Sequence, residues 1–271
     1  MAKESENQWV RELEVALAAA EEAASLLVRR EGAEQVRQKA GPADLVTLVD
    51  EASERAIAAR VRAAFPDDDF IAEEFSGSDR SSGRRWLVDP LDGTINFVHG
   101  YPFACVSIAF LDEVGPAVGV VNAPFLREVY HAVRGGGAFL NGERIHVSEM
   151  RDAAASLLAT GFPFKGGKGD PETYFRLVAR AVASTHGVRR AGAAALDLAY
   201  VAVGRLEGYF EIGLSPWDVA AGVLLVTEAG GEVSGWPGDQ HPPFETGRVL
   251  ASNGRIHDWL ESTLGEYVPP L

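Results

Sequence analysis

The chain has 271 residues, 46% apolar and 24% charged, enough to bury a sizeable core and typical of an ordinary soluble globular protein. Its net charge of −14 repels nucleic acid, and Arg29-Arg30, Arg84-Arg85 and Arg189-Arg190 read as isolated pairs of solvated surface charge, not as a basic patch. No apolar run is long enough for a membrane span, no apolar signal core follows the polar N-terminus, and the single Cys105 excludes an intrachain disulfide and a cysteine metal cluster; the expectation is a cytoplasmic protein with no membrane or nucleic-acid partner.

In chain order, residues 8–30 carry Trp9, Leu13, Leu17, Ala20, Ala24 and Leu27 at spacings of three and four, an amphipathic helix. A second helix is predicted from about Asp50 to Ala64, stopping before Pro66. From there to residue 147 the pattern is of short strands: 69–72, 85–88, 104–111, 116–121, 127–133 and 143–147. Asp112-Gly115, Asn122-Pro124 and Asn141-Gly142 supply the turns, so three successive antiparallel strands are expected mid-chain. Gly135-Gly136-Gly137 lacks a following Lys-Ser/Thr and reads as a hairpin or bulge rather than a phosphate loop. Cys105 sits in an apolar stretch and reads as a buried core thiol.

The second half alternates: strand 157–160, helices 171–184 and 194–204, strand 208–212, and helix 216–229 closed by Gly230-Gly231. Then come strands at 232–234 and 248–251 and a last helix near 255–264. The pattern predicts an α+β part, residues 1–150, joined to an α/β part, residues 151–271, in stacked layers. The loop 164–170 is rich in Gly and Lys and receives no role. The six histidines show no metal-type spacing.

Carboxylates carry the chemistry. In Trp86-Leu87-Val88-Asp89-Pro90-Leu91-Asp92-Gly93-Thr94 an apolar strand delivers Asp89 to its end, Pro90 fixes a turn, and Asp92 follows three residues later. Gly93 allows close backbone approach and Thr94 begins a short helix. Two carboxylates so close repel each other unless a divalent cation bridges them; the competing reading is an Asp-Gly turn with a Thr helix cap. Glu73 and Glu74 sit at another strand end, where a surface turn competes. Asp50 stands at a helix start, where a capping Asp competes. Asp218 follows Ser215-Pro216-Trp217, where a capping box with Pro in the first turn competes.

Taken together, the stretches Asp44 through Asp50, Glu73-Glu74, Asp89 through Thr94 and Trp217 through Gly222 resemble the inositol monophosphatase family of metal-dependent phosphatases. The likeness extends over Gly135–Gly142 and Thr227–Gly231. It implies an alternating α-β-α-β-α sandwich and hydrolysis of a small phosphate monoester, inositol-1-phosphate foremost. By the same resemblance Glu73, Asp89 and the Leu91 carbonyl would bind one Mg²⁺, and Asp89, Asp92 and Asp218 a second. A third, weaker ion would lie near Glu73, with Mn²⁺ as an alternative metal. Glu73, Thr94 and Asp50 would be catalytic, the last two orienting a water for direct in-line attack. Backbone N–H groups of Gly93 and Thr94, beside Asp92, would receive the phosphate.

The resemblance places the alcohol part of the substrate against Gly192-Ala193-Ala194 and Glu211. Ala193 stands where a hydroxyl residue is common, and Ala72 and Phe75 replace the usual Gly and Ser or Thr around the Glu pair. Relatives with this signature also act on fructose-1,6-bisphosphate, histidinol phosphate, nucleotide 3′-phosphates and NADP, and some associate with the transcription machinery. The competing class is therefore a non-catalytic regulatory partner. A homodimer is expected from the family.

Overall fold

A computed structural model of the chain describes residues 8–39, 45–74, 83–162 and 170–265. Helix α1 (Val10–Arg29) buries Ala16, Ala19, Ala20, Ala23 and Leu27, one stripe at the predicted spacing. Its small side chains allow a close approach to the sheet beneath. Strands β1 (Val36–Gln38) and β2 (Leu45–Thr47) form an antiparallel pair that the sequence did not announce; β1 is exposed at all three positions and has no alternation to read. Helix α2 (Leu48–Ala64) starts two residues before the expected Asp50, because Thr47 is its cap.

A seven-stranded sheet follows from β3 (Asp69–Ala72), β4 (Arg85–Asp92), β5 (Cys105–Asp112), β6 (Gly115–Ala123), β7 (Glu128–Val133), β8 (Gly137–Leu140) and β9 (Glu143–Ile145), in that order. Only the β3–β4 pair is parallel. Strand β4 does not turn at Pro90 as expected. It runs on to Asp92 through an irregularity in its pairing with β5 between Asp89 and Asp92, a place where a proline without an N–H is tolerated. A one-and-a-half-turn helix, α3 (Thr94–Val98), leaves its end. The three consecutive glycines turn β7 into β8 as a hairpin, and the Gly135 and Gly137 amides donate to the Glu228 carboxylate at 2.8 and 2.9 Å.

After a short 3-10 turn at Ala153–Ala155, the remaining elements are β10 (Leu157–Thr160), α4 (Pro171–Ser184), β11 (Gly187–Arg189), α5 (Ala194–Ala202), β12 (Gly208–Ile212), α6 (Pro216–Glu228), β13 (Glu232–Ser234), α7 (Pro243–Thr246), β14 (Arg248–Ser252) and α8 (His257–Leu264). Their strands form a mixed sheet ordered β11-β10-β12-β14-β13.

Strand alternation sorts the core into layers. Trp86, Val88, Ile108, Phe110 and Val118 face α1 and α2. Leu87, Ala109, Val121 and Ala132 face the other way, onto α5 and α6, whose far sides meet Ala159, Tyr209 and Ala251 of the smaller sheet. Leu158, Phe210 and Leu250 of that sheet then cover α4 and α8. The result is the expected α-β-α-β-α sandwich. Among the described residues no helix is long and apolar enough to cross a membrane.

Two of the three arginine pairs are built into the frame of the larger sheet and its helices. Arg84 pairs with Asp68 at 2.8 Å and Glu12 at 2.9 Å, and Arg30 donates to the Phe97 carbonyl at 2.7 Å. Cys105 is buried, as expected. His257 is held between Ser234 and Ser252 at 2.9 Å on each side.

Candidate active site

Alternation along β4 puts Asp89 on the Leu87 face, toward the central helices. Because β3 runs parallel to β4 with Ala72 opposite Val88, the next residue, Glu73, arrives beside Asp89; its amide donates to the Val88 carbonyl at 3.3 Å. Asp89 is 2% exposed, and one of its oxygens accepts from the Leu91 amide at 2.9 Å. Asp92 Oδ2 accepts from the Ala195 amide in the first turn of α5 at 2.8 Å. Asp218 Oδ2 accepts from the Ser215 amide at 2.7 Å at the start of α6.

Asp50 Oδ2 accepts from the Thr47 amide at 2.8 Å, and Asp50 Oδ1 lies 3.1 Å from Thr94 Oγ1. Thr94 Oγ1 is also 3.0 Å from the Leu91 carbonyl; its one hydrogen serves either acceptor. The capping readings of Asp50 and Asp218 thus hold in the fold, and the same caps fix the direction in which each carboxylate points.

The electrostatics record the crowding. Burial drives the Asp89 carboxyl well above the usual carboxylate range, and the charges of Glu73, Asp92 and Asp218 push it further; the Leu91 amide opposes them. Burial likewise raises Asp50, against the bonds from Thr47 and Thr94. Glu74 is pushed up to about 7 by burial, although Lys39 stands against it. Lys39 Nζ lies 2.5 Å from Glu74 Oε1 and 3.3 Å from Glu73 Oε1.

The donors here are hard oxygens, with no sulfur or imidazole among them. Among the described residues no three acidic, His or Cys side chains close around a single point. Hard oxygen donors suit Mg²⁺, which keeps several of its waters when it binds protein carboxylates. The four repelling acids fit such an ion.

The cleft they line has a volume of about 390 Å³ and includes Glu73, Asp89, Leu91, Asp92, Gly93, Thr94, Gly192, Ala194, Glu211 and Asp218 from the sequence-derived set. Gly93 adopts φ +86, and a Cβ there would meet the Phe103 carbonyl at 2.9 Å, so glycine is required. Glu211 Oε2 accepts from the Tyr209 hydroxyl at 2.6 Å. A side chain at Gly161 would occupy the place of the Glu211 carboxylate.

Two expected residues stay off the wall. Asp50 is buried behind Thr94 and reaches the cleft only through it. Ala193 is 1% exposed and lies against Gly93, so its side chain is turned away from the cleft wall. Asp44, Phe75 and loop residues 164–169 lie outside the described residues.

Sequence reasoning passed over Phe162, Arg190 and Asn96, which also line the cleft. Arg190 reads as half of a solvated pair and is exposed; its nearness to Gly192 was the available signal. Asn96 Nδ2 donates to the Phe103 and Ala191 carbonyls at 2.7 and 2.8 Å and so ties α3 to the segment before α5.

Known proteins resemble this chain in sequence and fold. The sequence profile described as "Inositol monophosphatase family" matches residues 8–268. The chain is 43% identical over 265 residues to "Nus factor SuhB" of Pseudomonas aeruginosa, covering 95% of this chain and 97% of that protein. It is 43% identical over 233 residues to "Inositol-1-monophosphatase" of Synechocystis sp., covering 85% and 80%. The crystal structure of the extragenic suppressor protein suhB from Bartonella henselae superposes with a TM-score of 0.87 at 39% identity, over 94% of this chain and 98% of that one.

Proposed function

This chain belongs to the inositol monophosphatase family, and from that premise we propose that it hydrolyses inositol-1-phosphate or a similar small polyol phosphate by direct in-line attack of water. The chain is a hydrolase, and the family's reaction is Mg²⁺-dependent hydrolysis of phosphate monoesters. The observation that carries the proposal is Asp89, buried and lifted by three neighbouring carboxylates. Such a group is stable as an anion only with a cation beside it.

Glu73, Asp89 and the Leu91 carbonyl would hold one Mg²⁺, and Asp89, Asp92 and Asp218 a second, with a weaker third near Glu73 and Mn²⁺ as the alternative. When bound, the ions supply Lewis-acid chemistry, acidifying water and drawing charge from phosphate and leaving oxygens.

The chain's own groups do the rest. Thr94 Oγ1, with Asp50 as acceptor of its hydrogen, presents a lone pair that takes a proton from the attacking water. Amides at the start of α3 receive the phosphate oxygens, since the first N–H groups of a helix have no partner within it. Glu211, fixed by Tyr209, accepts hydroxyl hydrogens of the alcohol. Fructose-1,6-bisphosphate, histidinol phosphate, nucleotide 3′-phosphates and NADP are the alternative substrates of the same chemistry. A homodimer and a cytoplasmic site of action belong to the same proposal.

The test is phosphate release from a panel of these esters with Mg²⁺. One ester should exceed the others in kcat/KM by about tenfold or more, and Asp92→Asn should abolish turnover; undiminished turnover in that variant overturns the mechanism. A second reading rests on the relatives named Nus factor SuhB: the chain serves as a protein partner. Retention of a stable partner by the Asp92→Asn protein, with no phosphate release by the wild type, would favour it.

A further inference from the structure

The cleft is lined by five carboxylates, those of Glu73, Asp89, Asp92, Glu211 and Asp218, and among the described lining residues by one cationic side chain, Arg190. We propose that Arg190 determines specificity by receiving a second anionic group, a phosphate or a carboxylate, on the leaving-group side of the substrate. The inference rests on the phosphatase reading and sharpens it.

Three observations support the assignment. First, the guanidinium is seated without being neutralised. Its carbon lies 5.2 Å from the centroid of the Phe162 ring, and Gly192 makes room for it: a Cβ at Gly192 would come within 2.5 Å of Arg190 Nη1. Among the described residues no carboxylate forms an ion pair with it, whereas Arg84, Arg134, Arg205 and Arg248 all have one. A ring and a glycine orient the planar fork and leave its N–H groups available, and that fork matches phosphate and carboxylate oxygens two at a time.

Second, its position is tied to the reacting end. Ala191, the next residue, accepts from Asn96 of α3, and Ala195 in the following turn donates to Asp92. The segment 190–195 therefore shares its anchors with the carboxylates, and Arg190 is held in register with them.

Third, it shares the cleft with Glu211. That carboxylate accepts hydroxyl hydrogens but repels an anion, so a substrate bearing hydroxyls and a second anion finds complementary partners on one wall. Asp197 on α5, 2% exposed, is pushed up chiefly by burial and further by the charges of Glu211 and Asp92, while the Arg190 charge opposes them.

The test compares inositol-1-phosphate with inositol-1,4-bisphosphate in wild-type, Arg190→Gln and Arg190→Lys proteins with Mg²⁺. Losing one charge-assisted bidentate contact should lower kcat/KM for the bisphosphate by about tenfold or more, chiefly through KM. The monophosphate should change less than about twofold, and Lys should restore only part of the loss. Equal losses on both esters, or no loss on either, overturn the proposal. So does a change of oligomeric state in Arg190→Gln with unaltered selectivity, which assigns the residue to a subunit contact.

If the wild type releases phosphate from neither ester, nor from any other ester of the panel, the phosphatase reading has failed. Calorimetric binding of inositol-1,4-bisphosphate then decides the role of Arg190: Arg190→Gln should weaken it about tenfold, and unchanged or absent binding overturns the proposal.

Discussion

Thr94 and Asp50 meet across two helices: Thr94 Oγ1 stands 3.1 Å from Asp50 Oδ1, while Asp50 Oδ2 is held by the Thr47 amide at 2.8 Å. One carboxylate thus caps α2 and orients the hydroxyl of α3. Its two duties separate by substitution. Thr94→Ala and Asp50→Asn should each lower kcat by roughly 10²–10³-fold with little change in KM. Thr94→Ala leaves the cap intact, whereas Asp50→Ala also costs about 1 kcal/mol of stability. Steady-state kinetics and thermal unfolding of the three variants check this.

Gly222 places α6 against α5. A Cβ there would come within 2.5 Å of Leu198 Cβ and Cδ1. Gly222→Val should destabilise by about 1–3 kcal/mol through overpacking. Because α5 anchors Asp92 and α6 carries Asp218, the same variant should need more Mg²⁺ for half-maximal activity. Denaturant unfolding and a metal titration of activity measure both effects.

Glu74 gives the metal-free protein a pH dependence. Its carboxyl is at about 7 in the fold, raised by burial above the ordinary value of 4.5. Between those two values the unfolded chain has already released the proton that the fold retains, so stability falls as pH rises through this window. The penalty is absent well below 4.5 and complete above 7. Glu74→Gln should therefore raise Tm more at pH 8 than at pH 5, read by thermal scans in the presence of a chelator. An equal or smaller gain at pH 8 contradicts this assignment.

Much of the fold was legible because its elements carry strong periodicity. Residues 171–184 were predicted as a helix and are one, and the apolar runs 104–111 and 116–121, separated by the Asp112–Gly115 turn, foretold adjacent antiparallel strands. Elements of three or four residues without alternation, such as β1, β11 and α7, left no trace, since their stability comes from neighbours distant in sequence. Pro90 misled for a related reason: a bulge absorbs it only because β5 supplies the rest of the pairing.

The carboxylates at strand and helix ends were legible as candidates, while their convergence on Asp89 depends on the β3–β4 register and on α5 and α6. The seat of Arg190 on Phe162 and Gly192 was not legible, because an arginine pair in a sequence looks the same on a free surface and on a cleft wall.

Asp89 sits among carboxylates that need a divalent cation. Titration calorimetry with Mg²⁺, in two buffers of different ionisation enthalpy, measures that need. A ligating carboxylate must be deprotonated, and Asp89 is raised well above its ordinary range, so uptake should expel protons and tighten as pH rises. Asp89→Asn should weaken uptake by about tenfold or more. Absence of Mg²⁺ uptake by the wild type, or unchanged uptake in Asp89→Asn, would contradict the account.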